Sequence, residues 1–173
     1  MDLKQTIRTF PDYPKKGIMF RDITPILKDP KALNHALDQM AQHLEGVDFD
    51  VIVAPESRGF IFGVPLAARL NKSFVPARKK GKLPGPVTKE EYTLEYGTGT
   101  LEIHTADIQR GQKVVLVDDL LATGGTAGCV CDIVAKLGGI VIKAVFLIEL
   151  EDLSGRGALS GIDVQPIIKF SKE

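Results

Sequence analysis

The chain has 173 residues, 44% hydrophobic and 25% charged, ordinary globular proportions that suit a single domain spanning residues 1–173 around one core. Its 22 basic and 22 acidic side chains cancel, which removes the whole-chain charge signature of a nucleic-acid binder. No apolar run approaches the roughly 20 residues of a membrane span, and "MDLKQTIRTF" lacks the apolar core and small-residue cleavage site of a secretory signal, so a cytoplasmic protein without membrane contact is expected.

The first distinctive segment is "FPDYPKKGIMFRDITPIL", residues 10–27, with three prolines and charges clustered around Phe20. It reads as an irregular cap. "PKALNHALDQMAQHL" (30–44) follows as a helix, with Pro30 suited to its first turn. "VIVA" (51–54) is a buried strand, "PESRG" (55–59) a turn, and "RGFIFGVPLAARL" (58–70) a helix. A second strand, "SFVPA" (73–77), leads into "ARKKGKLPGPVTKEEYTLEYGTGTLEIH" (77–104), whose first half is rich in Lys, Gly and Pro and whose second half alternates. So long an excursion inside a compact domain suggests a mobile loop or β-arm. Beyond it come a strand at "VVLV" (114–117), a helix at "TAGCVCDIVAKLG" (126–138), and strands at "VIKAVFLIEL" (141–150) and "VQPII" (164–168). Strands alternating with helices imply an α/β fold with a central, mostly parallel sheet covered on both faces.

The densest chemistry lies in "VVLVDDLLATGGTAG", residues 114–128. Ligands of open parallel sheets gather outside the C-terminal strand ends, which is where Asp118 and Asp119 are delivered. The glycines of "ATGGT" let backbone amides approach an anion, and Thr123 and Thr126 can donate from their hydroxyls, so this turn at a helix start suits a phosphate. The aspartates beside it can accept from sugar hydroxyls or balance a cationic centre. Together the motif describes a ribose phosphate. A P-loop is the competing phosphate motif, but no Gly-x-x-x-x-Gly-Lys-Ser/Thr occurs, and "GTGTLE" lacks the third glycine of a dinucleotide turn. Cys129 and Cys131, the only cysteines, lack a second ligand pair and read as reduced thiols on a helix. His35, His43 and His104 have no metal-ligand spacing.

"VVLVDDLLATGGT" resembles the 5-phosphoribosyl-1-diphosphate (PRPP) motif of the type I phosphoribosyltransferase family. "FPDYPKKGIMFRDITPIL", "ESRGFIFG", "ARKKGKLPG" and "YTLEYGTGTLEIH" are similar to its adenine-using members, in order, from Phe10 to about Leu150. The resemblance implies the type I fold, with residues 10–27 as a base-binding cap and 77–104 as a mobile catalytic arm. It implies transfer of the phosphoribosyl group of PRPP to adenine, giving AMP and diphosphate in purine salvage. Ala122, Thr123, Gly124, Gly125 and Thr126 would bind the 5-phosphate, with Asp118 and Asp119 catalytic near the ribose hydroxyls.

The resemblance also places a cis peptide at Glu56–Ser57 and assigns Glu56, Ser57 and Arg58 to the diphosphate, with Arg58 also reaching the base. Arg78, Lys79 and Lys82 fall in the one basic cluster, suited to a leaving diphosphate. Met19, Phe20, Arg21 and Leu150 would hold adenine, the Phe20 ring stacking on the purine. Glu95 on the arm would take part in moving the proton that adenine N9 must lose. Mg2+ is expected to arrive with PRPP, held mainly by phosphate oxygens and water rather than by a protein cage. A homodimer is expected from the resemblance alone. Two alternatives stay open: a sister enzyme for another nucleobase, and a non-catalytic PRPP sensor, which would be expected to add a DNA-reading module or a basic surface.

Overall fold

A computed structural model describes residues 1–94 and 97–171, with Leu94 through its backbone only. Its centre is a seven-stranded sheet built on β3 (Val51–Pro55), every residue of which is buried. In chain order the other strands are β4 (Ser73–Lys79), β5 (Val87–Leu94), β6 (Gly97–His104), β7 (Lys113–Leu121), β8 (Ile140–Leu150) and β9 (Asp163–Phe170), numbered after a small N-terminal pair. The spatial order is β5-β6-β4-β3-β7-β8-β9. The five strands from β4 to β9 run parallel, while β6 pairs antiparallel with β4 and with β5.

Period-two alternation divides the core into two layers. Ile52, Val115, Val117, Val145 and Leu147 face the layer containing Met40 of one helix, Pro30–Gln42 (α3), and Phe62 and Leu66 of another, Arg58–Leu70 (α4). Val51, Val53, Leu116 and Phe146 face the opposite layer with Val130, Ile133 and Val134 of Gly125–Lys136 (α5). Two short helices, Leu3–Thr6 (α1) and Thr24–Lys28 (α2), complete the set. Among the described residues no helix is long and apolar enough to cross a membrane.

Two segments differ from the sequence reading. The N-terminal cap is partly regular: β1 (Arg8–Phe10) pairs antiparallel with β2 (Phe20–Asp22), and α2 lies inside the stretch read as irregular. Three-residue strands carry too little periodicity to be read, and side chains hold this pair together. Arg8 donates twice to Asp22 at 2.9 and 2.6 Å, and Arg21 donates to Thr9 Oγ1 at 2.7 Å. The arm is a β-hairpin extending the main sheet, and Leu101 and Ile103 of β6 are buried in the core. Only residues 80–86 between β4 and β5 lie outside strands in the arm's described part, and they are mostly exposed.

Candidate active site

β7 runs four residues further than the apolar run predicts, to Leu121, because β8 keeps pairing with it as far as Leu121↔Glu149. Asp118 and Asp119 therefore sit within the strand, 8% and 4% exposed. The Asp119 amide donates to Asp118 Oδ1 at 2.8 Å, and Arg58 Nε meets Asp119 Oδ2 at 2.9 Å. That guanidinium is half-exposed and is the ion-pair partner shown for Asp119 among the described residues. Burial, then repulsion from Asp119, pushes the Asp118 carboxyl well above the usual carboxylate range. Burial also raises Asp119, with Arg58 pulling it back. The pair is poised for additional positive charge.

β7 passes into the turn Ala122–Gly124, and α5 begins at Gly125. Gly124 has φ +86°, and a Cβ there would lie 2.4 Å from the Gly155 carbonyl oxygen and 2.8 Å from Ala158 Cβ. Only glycine fits. Gly124 is also the N-cap of α5 and offers no side-chain acceptor, so the first amides of that helix are available to an anion. The hydroxyl-bearing Thr123 is exposed and Thr126 half-buried.

The neighbouring strand end makes a second turn. Pro55 closes β3, the Glu56–Ser57 peptide is cis, and α4 begins at Arg58 with Ser57 as an N-cap whose side chain makes no capping bond. Gly59, in the first turn of α4, lies against β7: a Cβ there would lie 3.0 Å from both Asp118 Oδ1 and Pro55 Cδ. Glu56 faces the arm: its Oε1 accepts from the Lys79 amide at 2.7 Å and from Arg78 Nε at 3.1 Å. Burial opposes its charge, yet those donors outweigh it and hold the carboxyl below its ordinary range. Lys79 and Lys82 are exposed beside this anchor, and Arg78 is half-buried. Glu95 lies outside the described residues.

In the cap, Phe20 packs edge-on against Tyr13, with centroids 5.1 Å apart, and Met19 is exposed. Arg21 stacks over the Phe170 ring at 3.9 Å, and Phe170 is the cross-strand partner of Leu150. The cap is thereby joined to the C-terminal sheet edge where Leu150 ends β8. The structure thus brings Asp118, Asp119 and Arg58 together on the strand that leads into the 122–126 turn, and Arg21 to Leu150 through Phe170.

Sequence reasoning missed Phe170, Tyr13 and the segment behind the phosphate turn, Gly155 to Ala158. The glycine pair in "SGRGA" is the one signal that could have marked that segment as a close backbone approach.

The phosphoribosyl transferase domain family matches residues 22–167. The chain is 54% identical over 169 residues to the adenine phosphoribosyltransferase of Lachnoclostridium phytofermentans, covering 98% of this chain and 97% of that protein. The crystal structure of adenine phosphoribosyltransferase from Thermoanaerobacter pseudethanolicus is similar with a TM-score of 0.94 at 56% identity, covering 97% of this chain and 98% of that one. The enzyme from Saccharomyces cerevisiae, solved in complex with an imino-altritol bisphosphate and adenine, has a TM-score of 0.90 at 40% identity over 94% of each chain.

Proposed function

The chain belongs to the phosphoribosyl transferase family, and from that premise we infer that it transfers the 5-phosphoribosyl group of PRPP to adenine, releasing diphosphate and forming AMP. The observation that carries the site is the buried Asp118–Asp119 pair, packed on Gly59 and paired with Arg58, on the strand that runs into the Ala122–Gly124 turn and the uncapped start of α5. In the reaction the bond from C1 to the diphosphate oxygen breaks, the bond from C1 to adenine N9 forms, and the N9 proton leaves. Positive charge builds on the ribose ring as the diphosphate departs. Asp118 and Asp119 stabilise that charge and accept from the ribose hydroxyls.

Ala122 to Thr126 hold the 5-phosphate with amides and hydroxyls. Ser57 and Arg58 receive the diphosphate from the second turn, and Arg78, Lys79 and Lys82 receive it from the arm. A carboxylate repels diphosphate, so Glu56 serves by fixing Arg78 and the Lys79 backbone. Met19, Phe20, Arg21 and Leu150 enclose the base, and Glu95 is the proposed proton acceptor. Mg2+ would arrive with PRPP, held mainly by phosphate oxygens and water, and the described residues show no cluster of side chains that would cage it. When bound it supplies neutralisation of the leaving diphosphate. We further propose a cytoplasmic homodimer. The test of the reaction is AMP formation from PRPP with adenine, hypoxanthine, guanine and other bases, with and without Mg2+. Adenine alone should be consumed rapidly, and turnover of another base in its place would overturn the assignment.

Base stacking gives a separable expectation. An aromatic–base stack contributes about 1–3 kcal/mol, so Phe20→Ala should raise KM for adenine about tenfold and leave KM for PRPP within about twofold. Equal losses for both substrates would instead mark Phe20 as a packing residue of the cap.

The arm gives another. Residues 80–86 are polar, rich in Gly and Pro, and mostly exposed, whereas β4 and β6 are tied into the sheet. An activated ribosyl donor needs protection from water while its bond breaks, and closing loops commonly provide it. Hydrogen exchange at residues 80–86 should slow strongly when PRPP and Mg2+ are added, as the basic cluster engages diphosphate. Exchange equally slow in both states would remove the lid.

A further inference from the structure

The proposed phosphate turn rests on the segment that follows β8. After β8 the chain forms two short 3-10 turns, Glu151–Leu153 and Gly155–Leu159, before β9 begins. The second is packed backbone to backbone against the turn. A Cβ on Gly155 would lie 2.4 Å from the Ala122 carbonyl oxygen and 2.8 Å from Leu121 Cδ1, and a Cβ on Gly124 would lie 2.4 Å from the Gly155 carbonyl oxygen. Ala158 completes the contact, its methyl 2.8 Å from where a Gly124 Cβ would be and 3.4 Å from that of Gly128. The turn and this wall are interlocked.

One side chain clasps the wall to the sheet. Arg156 Nε donates to Glu149 Oε1 at 2.6 Å and another guanidinium nitrogen to Oε2 at 2.8 Å, while the third reaches the Val164 carbonyl of β9 at 3.3 Å. Glu149 is 4% exposed and lies directly opposite Leu121, the last residue of β7 before the turn. Bidentate geometry fixes the guanidinium in the plane of that carboxylate. Leu159 is the buried side chain anchoring the far end, and the Lys169–Glu151 ion pair at 3.3 Å is largely solvated. The clasp and the buried Leu159 thus tie both ends of the wall that packs on the turn.

We propose that Arg156, through Glu149, is a positioning residue for PRPP: it presses the 155–158 wall against Ala122–Gly124 and so holds the phosphate turn in its binding shape. The inference rests on the reading of that turn as the 5-phosphate site. It predicts selectivity, because the wall is packed directly on the 122–124 turn, at the Ala122 carbonyl and at Gly124.

The test compares wild type, Arg156→Ala, Arg156→Lys and Ala158→Gly in steady-state kinetics, and titrates each with ribose 5-phosphate by calorimetry. Arg156→Ala should raise KM for PRPP and the ribose 5-phosphate dissociation constant about tenfold, with kcat and KM for adenine within about twofold of wild type. Arg156→Lys, which keeps the charge but not the fork, should recover part of the loss. Ala158→Gly removes only an exposed methyl at the contact and should raise KM for PRPP about threefold; it serves if the Arg156→Ala protein fails to fold. Unchanged PRPP and ribose 5-phosphate affinities in Arg156→Ala and Ala158→Gly would overturn the clasp, as would parallel rises in both substrate KM values. Failure of the wild type to make AMP would overturn the reaction instead, and the ribose 5-phosphate titrations would still decide the inference.

Discussion

Replacing both aspartates, Asp118→Asn with Asp119→Asn, should lower kcat about a hundredfold, the scale of losing preorganised charge at a developing ion, while the folded protein becomes no less stable. The two effects have one cause. At rest the carboxylates are buried and a half-exposed guanidinium pairs with Asp119, so their charges are costly, and both carboxyls are pushed up by burial. A raised folded value means that the native state binds more protons than the unfolded chain above about pH 4. Stability therefore falls as pH rises from there through the raised values, and the amide variant, which does not titrate, should lose that slope. In the proposed transition state the same charges would face a cationic ribose and become favourable. Arg58, left without Asp119, is half-exposed and can be hydrated, so its loss of partner adds little. Saturating kinetics and urea unfolding at several pH values measure both halves. Unchanged kcat would remove the ribose assignment, and a large stability loss would make the pair structural.

The parallel strands were legible because strands covered on both faces must be apolar throughout. "VIVA" and "VVLV" sit at the sheet centre, and helix 58–70 has the limits its pattern implies. The end of β7 was not legible. Charge ordinarily closes a buried strand, but here Gly59 leaves room for Asp118 and Arg58 pairs Asp119, so pairing with β8 continues to Leu121. In the arm, alternation in "TLEIH" marks the strand that buries Leu101 and Ile103, while of the Lys–Gly–Pro half only residues 80–86 lie outside strands. Glu56 illustrates the limit for side chains. Its place in "PESRG" suggests contact with diphosphate, yet its carboxylate is turned to Arg78 and the Lys79 amide, partners more than twenty positions away. The wall behind the phosphate turn is less visible still, since carbonyls packed on glycines thirty residues apart leave no spacing to read.

That packing makes Gly124→Ala the single substitution with the largest expected effect on PRPP. Two penalties act at once. The residue holds φ +86°, where a side chain costs roughly 1–2 kcal/mol, and its Cβ would lie 2.4 Å from the Gly155 carbonyl oxygen, a backbone atom that cannot rotate away. The turn must move, and the amides proposed to meet the 5-phosphate move with it. An angstrom of misplacement at a bound reactant can cost about a hundredfold, so kcat/KM for PRPP should fall by at least that much. Gly111→Ala separates the two penalties. Gly111 has φ +84° with nothing within 4 Å of its Cβ position, so alanine there carries the backbone strain without the clash. It should lower the unfolding midpoint of the protein while leaving KM for both substrates unchanged. Should Gly124→Ala match Gly111→Ala in kcat/KM for PRPP, the turn at 122–126 does not hold the phosphate; a loss confined to Gly124→Ala, with adenine binding preserved, is the outcome the interlocked backbones require.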